Sequence, residues 1–191
     1  MSLADVTYVP EQPAHDLEIE AINAEAFGPG RFVRAAFKIR EGGPHVRELS
    51  FVALHEGEVI ASVRLTSIRA GAATALLLGP LAVKPAWKNL GIGKRLVKIS
   101  VAASDKAGWD AVVLVGDAPY YGPLGFQPIP RGQISMPRPV DPARLLAAEL
   151  REGAVARLVG EVRHAGLVGP DPAEAASTPK SDDEAIRSAA G

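Results

Sequence analysis

Between Leu76 and Val97 the chain reads LLLGPLAVKPAWKNLGIGKRLV: an apolar stretch runs into prolines, a glycine-bearing turn, and then a mixed apolar and basic pattern. The stretch from about Thr74 to Val83 is nearly all apolar rather than alternating, which predicts a strand buried on both faces, and Pro85 ends it. From Gly91 to Lys106, Ile92, Leu96, Val97, Ile99, Val101 and Ala103 share the segment with Lys94, Arg95 and Lys98, a pattern compatible with a helix, and Gly108 is placed as its C-cap. Ala111 to Val115 reads as another fully buried strand. Strand, turn, helix and strand in this order close as a right-handed crossover with parallel pairing. The chain is thereby constrained to an α/β architecture.

The flanking segments fit that frame. A short strand is expected at Val6 to Val9, then a helix from Ala14 to Phe27 that Gly28-Pro29-Gly30 stops. Arg31 to Arg40 mixes Phe32, Val33, Ala36, Phe37 and Ile39 with Arg34, Lys38 and Arg40, which predicts a second amphipathic helix. Leu49 to Leu54 and Glu58 to Leu65 read as a hairpin about Glu56-Gly57. Further strands are expected at Gly125 to Gln127, Leu145 to Leu150 and Gly160 to Arg163. Residues 1–166 thus form one domain, whereas 167–191 have the Pro-, Ala-, Asp-, Glu- and Ser-rich composition of a disordered tail.

With 21 basic against 22 acidic residues there is no global charge to argue for nucleic acid or an anionic membrane as partner. Neither a disulfide nor a thiolate nucleophile is available without cysteine, and four scattered His make a catalytic metal an unexpected reading. The N-terminus lacks the pattern of a signal peptide, and the longest apolar run, Ala70 to Val83, is interrupted and shorter than the roughly 20 residues that cross a bilayer. A soluble, cytoplasmic protein is expected.

Local charge is another matter. Between Val59 and Ser104 lie seven basic residues, Arg64, Arg69, Lys84, Lys88, Lys94, Arg95 and Lys98, and no acidic one. A helix N-terminus offers unpaired N–H groups and partial positive charge, so the turn that opens the helix at Gly91 is suited to phosphate, with Gly91 and Gly93 leaving the backbone approachable. Neither G-x-G-x-x-G nor G-x-x-x-x-G-K-[ST] can be written there, so the site belongs to another class than the dinucleotide and P-loop folds.

At this point the sequence resembles the GNAT superfamily of acetyltransferases, whose signature is an apolar strand followed by [Q/R]-x-x-G-x-[G/A] opening a helix. Lys88-Asn89-Leu90-Gly91-Ile92-Gly93 fills it, with Lys88 in place of the usual Gln or Arg. VLVGDAPYYGPLGFQP, Val113 to Pro128, resembles the family's late Tyr-x-x-x-Gly-Phe element, carried by Tyr121, Gly125 and Phe126. The G-D-x-x-Y-Y run, with A-x-E-L and G-x-V-R pieces between Ala147 and Arg163, is similar to a bacterial subgroup of predicted acetyltransferases. The resemblance spans Val6 to Arg163 and is specific from Leu76 to Phe126.

The resemblance implies a GNAT fold: a mixed central sheet with a splayed parallel strand pair, flanked by helices. It implies acetyl-CoA as co-substrate, no metal, and transfer of an acetyl group to a primary amine of a small molecule or protein. Carried over, Leu81, Ala82 and Val83 meet pantetheine, and Lys88, Asn89, Leu90, Gly91, Ile92, Gly93 and Lys94 hold the pyrophosphate. Tyr121 becomes the general acid and a cofactor contact. No acid lies on Thr74 to Val83, which leaves Glu25, His55 and Asp117 as candidate bases acting through water, with Asp117 best placed. Glu25 and Arg31 are the acceptor-side candidates. The missing strand carboxylate and the unusual Gly122-Pro123-Leu124 keep a non-catalytic acyl-CoA-binding module as an alternative, and the basic surface keeps an acyl carrier protein as an alternative donor. A homodimer through a late strand, common in the superfamily, stays open.

Overall fold

Both periodicities of the sequence are realised in the computed structural model, which describes residues 3–166; the expected disordered tail, 167–191, lies outside the described residues. The chain runs β1 (Val6–Pro10), α1 (Asp16–Phe27), α2 (Ala35–Arg40), β2 (Phe51–His55), β3 (Glu58–Ala70), β4 (Ala73–Val83), α3 (Ile92–Lys106), β5 (Ala111–Val115), α4 (Ala118–Tyr121), β6 (Gln127–Pro128), β7 (Ile134–Ser135), β8 (Leu145–Glu149), α5 (Ala154–Arg157) and β9 (Gly160–His164). The main sheet is ordered β1-β2-β3-β4-β5-β8-β6, with β9 against the end of β3 and β7 beside β9. Within the ordered path only β4 and β5 run parallel, joined by the α3 crossover.

The apolar run of β4 is explained by its position between β3 and β5 in a sheet covered on both faces. On one face Leu76 and Leu78 pack with Leu96 and Val97 of α3, and with Leu114, Phe126 and Leu146. On the other, Leu77 joins Ile39 of α2, Val113, Leu145 and Leu158, while Ile19 and Ile22 of α1 cover Val52, Val59 and Ala82. Burying such an aliphatic side chain contributes about 1.5–3 kcal/mol. The helices are therefore fixed on the sheet by the residues that define their apolar stripes.

The structure corrects three boundaries. The helix expected over Arg31 to Arg40 is a 3-10 turn at Pro29–Val33, an extended Arg34 (ψ 145°), and then α2. Phe32 and Val33 made the helical pattern but are 49% and 64% exposed, so no buried stripe exists to hold that first turn in register. Gly125 adopts φ 93°, which delays the strand expected there to Gln127. The β3–β4 hairpin is longer than the sequence suggests, pairing out to Ala70 and Ala73.

Candidate active site

β4 and β5 pair only at Leu76 with Val112 and Leu77 with Val113. Beyond Leu77 the two strands part. β5 stays in line with β8 as far as Val115, whereas β4 bends: Leu65 faces Leu78 but Val63 faces Leu81, so Gly79 and Pro80 together oppose Arg64. A bulge of this kind turns a strand away from its neighbour, and it accommodates a proline that has no ladder N–H to give. Gly79 supplies the φ of 132° that the bend needs. The splayed parallel pair is thus produced locally by the Gly79-Pro80 insertion.

The gap opens into a cavity of about 1310 Å³, lined on one side by Leu78 to Val83 and on the other by Val115, Gly116 and Asp117. At one end lies the glycine turn. Trp87, 6% exposed, anchors it in the core, with the His55 ring 4.6 Å away. Asn89 and Gly91 then adopt φ of 63° and 83°, and Gly91 is the N-cap of α3. No side chain caps that helix end. A Cβ on Gly91 would meet nothing within 4 Å, so room remains in front of the turn. Gly93 has a different reason: a Cβ there would stand 2.8 Å from Tyr120 Oη, 3.5 Å from Val83 Cγ2 and 3.7 Å from Leu81 Cδ2. Lys94 Nζ lies 5.5 Å from the centre of the Tyr120 ring.

Opposite stands Tyr121, whose ring meets those of Tyr120 and Phe126 edge-on at 4.8 and 5.8 Å. Burial, and after it the neighbouring Tyr120 and Asp117, push its phenol up to about 12, against the opposing charge of Arg144. Asp117 also lines the cavity; its carbonyl accepts from the N–H groups of Tyr120 and Tyr121, and its exposed carboxylate pairs with Arg144 Nε at 3.1 Å.

The remaining wall comes from α1, α2 and β3. Glu20, Asn23, Arg31, Arg34, Arg40, Arg64 and Thr66 line it. Arg64 is bound by three carboxylates: Nε donates to Glu11 Oε2 at 2.9 Å, Nη2 to Asp16 Oδ1 at 2.8 Å and Nη1 to Glu20 Oε1 at 3.0 Å. Glu11 is 4% exposed and is also held by His45 at 2.9 Å and Arg47 at 2.8 Å. Burial alone would raise the Glu11 pKa, but bonds to His45 and Arg64 and their charges bring it down to about 2.

Sequence reasoning missed that network. Its bonded partners are 31 to 53 residues apart, so no local pattern marks the pairs. Glu25 is exposed and is absent from the cavity wall, to which α1 contributes the polar side chains of Glu20 and Asn23. Arg31 does line the cavity, with Nη1 on Gly28 O at 2.9 Å. His55 packs on Trp87 outside the cavity lining. Along the turn, Leu90 is 42% exposed and does not line the cavity, while Ala82 and Ile92 line it with side chains 3% and 1% exposed. Among the described residues no group of His, Asp and Glu is arranged to hold a metal ion, and no helix is long and apolar enough to cross a membrane.

Residues 47–128 match the family model described as an acetyltransferase (GNAT) domain. The uncharacterized N-acetyltransferase YjhQ of Escherichia coli (strain K12) is 27% identical over 115 residues, 58% of this chain. That match covers 64% of YjhQ, so this chain spans under two thirds of the curated relative's length. Among solved structures, the GNAT family N-acetyltransferase YhbS of Escherichia coli, in complex with CoA, superposes with a TM-score of 0.72 at 21% identity, over 84% of this chain and 89% of that one. A GNAT family acetyltransferase from Brucella melitensis, in complex with acetyl-CoA, gives 0.56 at 25% identity over 75% and 96%. The fold is the GNAT fold.

Proposed function

We propose that this GNAT-fold chain is an acetyl-CoA-dependent N-acetyltransferase acting on a primary amine. The observation that carries the reading is the parting of β4 from β5 beyond Leu77, which leaves a cleft running between the Gly91 turn and Tyr121. The YhbS and Brucella proteins, crystallised with CoA and acetyl-CoA, support the choice of donor. So does the match of residues 47–128 to the domain model.

The donor supplies an activated acetyl group: its C–S bond breaks, a C–N bond forms, the amine gives up a proton and the departing thiolate takes one. The chain's part is to hold and to move protons. Past Leu77 the β4 backbone has no strand partner on the β5 side, and Leu81 and Val83 offer N–H and C=O groups there to an extended pantetheine arm. At the uncapped start of α3, backbone N–H groups with Lys88 and Lys94 hold the pyrophosphate. Tyr121 Oη carries the proton for the thiolate, and its raised pKa of about 12 keeps it protonated at neutral pH. Asp117, on the cavity wall, receives the amine's proton through water.

Calorimetric titration with acetyl-CoA, followed by an assay of thiol release over a panel of primary amines, tests the reading. Saturable binding and amine-dependent release are expected. Absence of binding sinks it; binding with no amine-dependent release makes the chain an acyl-CoA-binding module instead.

A further inference from the structure

Arg40, the last residue of α2, enters the cavity where β4 leaves β5, its Nη1 donating to Gly79 O at 3.3 Å. A guanidinium has five N–H donors, and this contact uses one at the long end of the hydrogen-bond range, while the Phe37 ring lies 5.9 Å from the guanidinium carbon and takes none of the donors as an ion pair would. The other ion pairs of the wall are closed among themselves: Arg64 on Glu11, Asp16 and Glu20, and Arg144 on Asp117. No carboxylate of the described residues lies within ion-pair distance of Arg40. Burial, and then the like charge of Arg64, pull its pKa down to about 10, with Glu20 opposing. Two polar atoms on the same wall are also unpartnered: Asn23 Oδ1 and Thr66 Oγ1, on side chains 3% and 0% exposed. Half-buried charge and buried hydrogen-bonding capacity left open beside a cavity mark a place for a polar ligand.

Resting on the N-acetyltransferase reading, we propose that the acceptor is an amino acid or a similar amine bearing a carboxylate, and that Arg40 binds this carboxylate beside Gly79 while Asn23 and Thr66 bond its other polar groups. The fork of a guanidinium matches a carboxylate with two parallel bonds, and one negative charge balances Arg40, which has no acidic partner among the described residues. Arg31, on Gly28 O and the Phe32 ring at 4.2 Å, and Arg34, on the Phe27 ring at 5.1 Å, also line the wall without a carboxylate, so a phosphorylated acceptor is the competing ligand.

The test uses matched acceptors on the full chain: lysine and cadaverine, phenylalanine and phenethylamine, and O-phosphoethanolamine and ethanolamine. Calorimetry in the presence of CoA reads binding, and thiol release from acetyl-CoA reads turnover. A carboxylated member favoured over its decarboxylated partner by about 100-fold is expected, because a site built to bond a polar group rejects the analogue without it. Arg40→Gln should erase that preference by raising the acceptor KM and leave acetyl-CoA affinity unchanged. Parity within both carboxylate pairs, silence of both members included, overturns the proposal, as does preference for the phosphorylated member alone. Loss of acetyl-CoA affinity in R40Q assigns Arg40 to the donor and overturns it too. A carboxylate-selective site in a protein that fails to bind acetyl-CoA strikes the transferase reading and leaves the carboxylate site standing. The wild-type pairs need no variant, so a poorly folded R40Q still leaves the question decided.

Discussion

The ring of Tyr121 lies where a side chain at position 116 would stand: a Cβ on Gly116 would be 2.7 Å from Tyr121 Cδ2 and 2.9 Å from Leu114 Cδ1. Gly116 has no room to retreat, because it continues β5 with its N–H on Arg144 O at 2.9 Å. The glycine of the G-D-x-x-Y-Y run is therefore explained by the second tyrosine of the same run. Gly116→Ala is expected to cost about 1–3 kcal/mol, as overpacking does, and to displace the phenol from the cleft. Urea unfolding and turnover read the two effects separately; a variant as stable and as active as wild type would mean that the ring moves freely.

If Tyr121 gives the proton to the thiolate, Tyr121→Phe should lower kcat by about 100-fold and leave acetyl-CoA affinity nearly as it was. The sign of its pH dependence follows from its environment. An acid must be protonated to act, and burial with Tyr120 and Asp117 pushes this one up to about 12. Wild-type turnover should accordingly show no loss assignable to Tyr121 below about pH 10. A pH–rate profile that falls near pH 8 and loses that fall in the phenylalanine variant would contradict the assignment.

How much of this was legible beforehand depends on how local the cause is. The crossover is contiguous in sequence from β4 to β5, and the glycine turn and Tyr121 are written in short runs, Leu76 to Val97 and Val113 to Pro128, so pattern and spacing carry them. The bulge was invisible as such: Gly79-Pro80 reads as an interruption of a strand, and only its pairing against Arg64 shows that it parts β4 from β5. Glu25 stands exposed on α1, a helix with little amphipathic contrast in which Leu17 is 87% exposed, so spacing alone does not tell its faces apart. Arg40 and Glu11 owe their environments to segments far away in sequence, and no local pattern could have set them apart from surface charges.

Gly91 is constrained by its backbone and by charge rather than by space, since φ is 83° and nothing lies within 4 Å of a Cβ built there. Gly91→Ala should therefore cost only the left-handed strain, about 1–2 kcal/mol. Gly91→Asp adds a negative charge at the N-cap of α3, which favours the helix itself but repels a pyrophosphate. Acetyl-CoA affinity is expected to fall at least about 10-fold more in the aspartate variant than in the alanine variant, a gap of about 1.4 kcal/mol. Calorimetry on both decides it, and equal affinities would remove the pyrophosphate from this turn.

Glu11 makes the stability of the fold depend on acid. Its carboxylate, 4% exposed, is held by His45, Arg47 and Arg64, and its folded pKa of about 2 lies below the ordinary 4.5. A depressed folded pKa means that the unfolded chain takes up the proton first as pH falls, so the stabilisation is whole above about pH 4.5 and is lost progressively down to about pH 2. At 1.36 kcal/mol per pKa unit that window is worth about 3 kcal/mol. Glu11→Gln should remove a comparable amount at pH 7, about 3 kcal/mol, because it leaves Arg64 only Asp16 and Glu20, and Arg47 only Asp16, all of them more exposed than Glu11. It should also flatten the dependence of stability on pH below 4.5. Urea unfolding of both proteins at pH 7, 4.5 and 3 makes the comparison. A wild type that loses no more stability than E11Q between pH 4.5 and 3 would show that the network contributes nothing as a charge pair. Arg64 belongs both to this network and to the cavity wall, so the same variant should raise the acceptor KM well before it unfolds the protein.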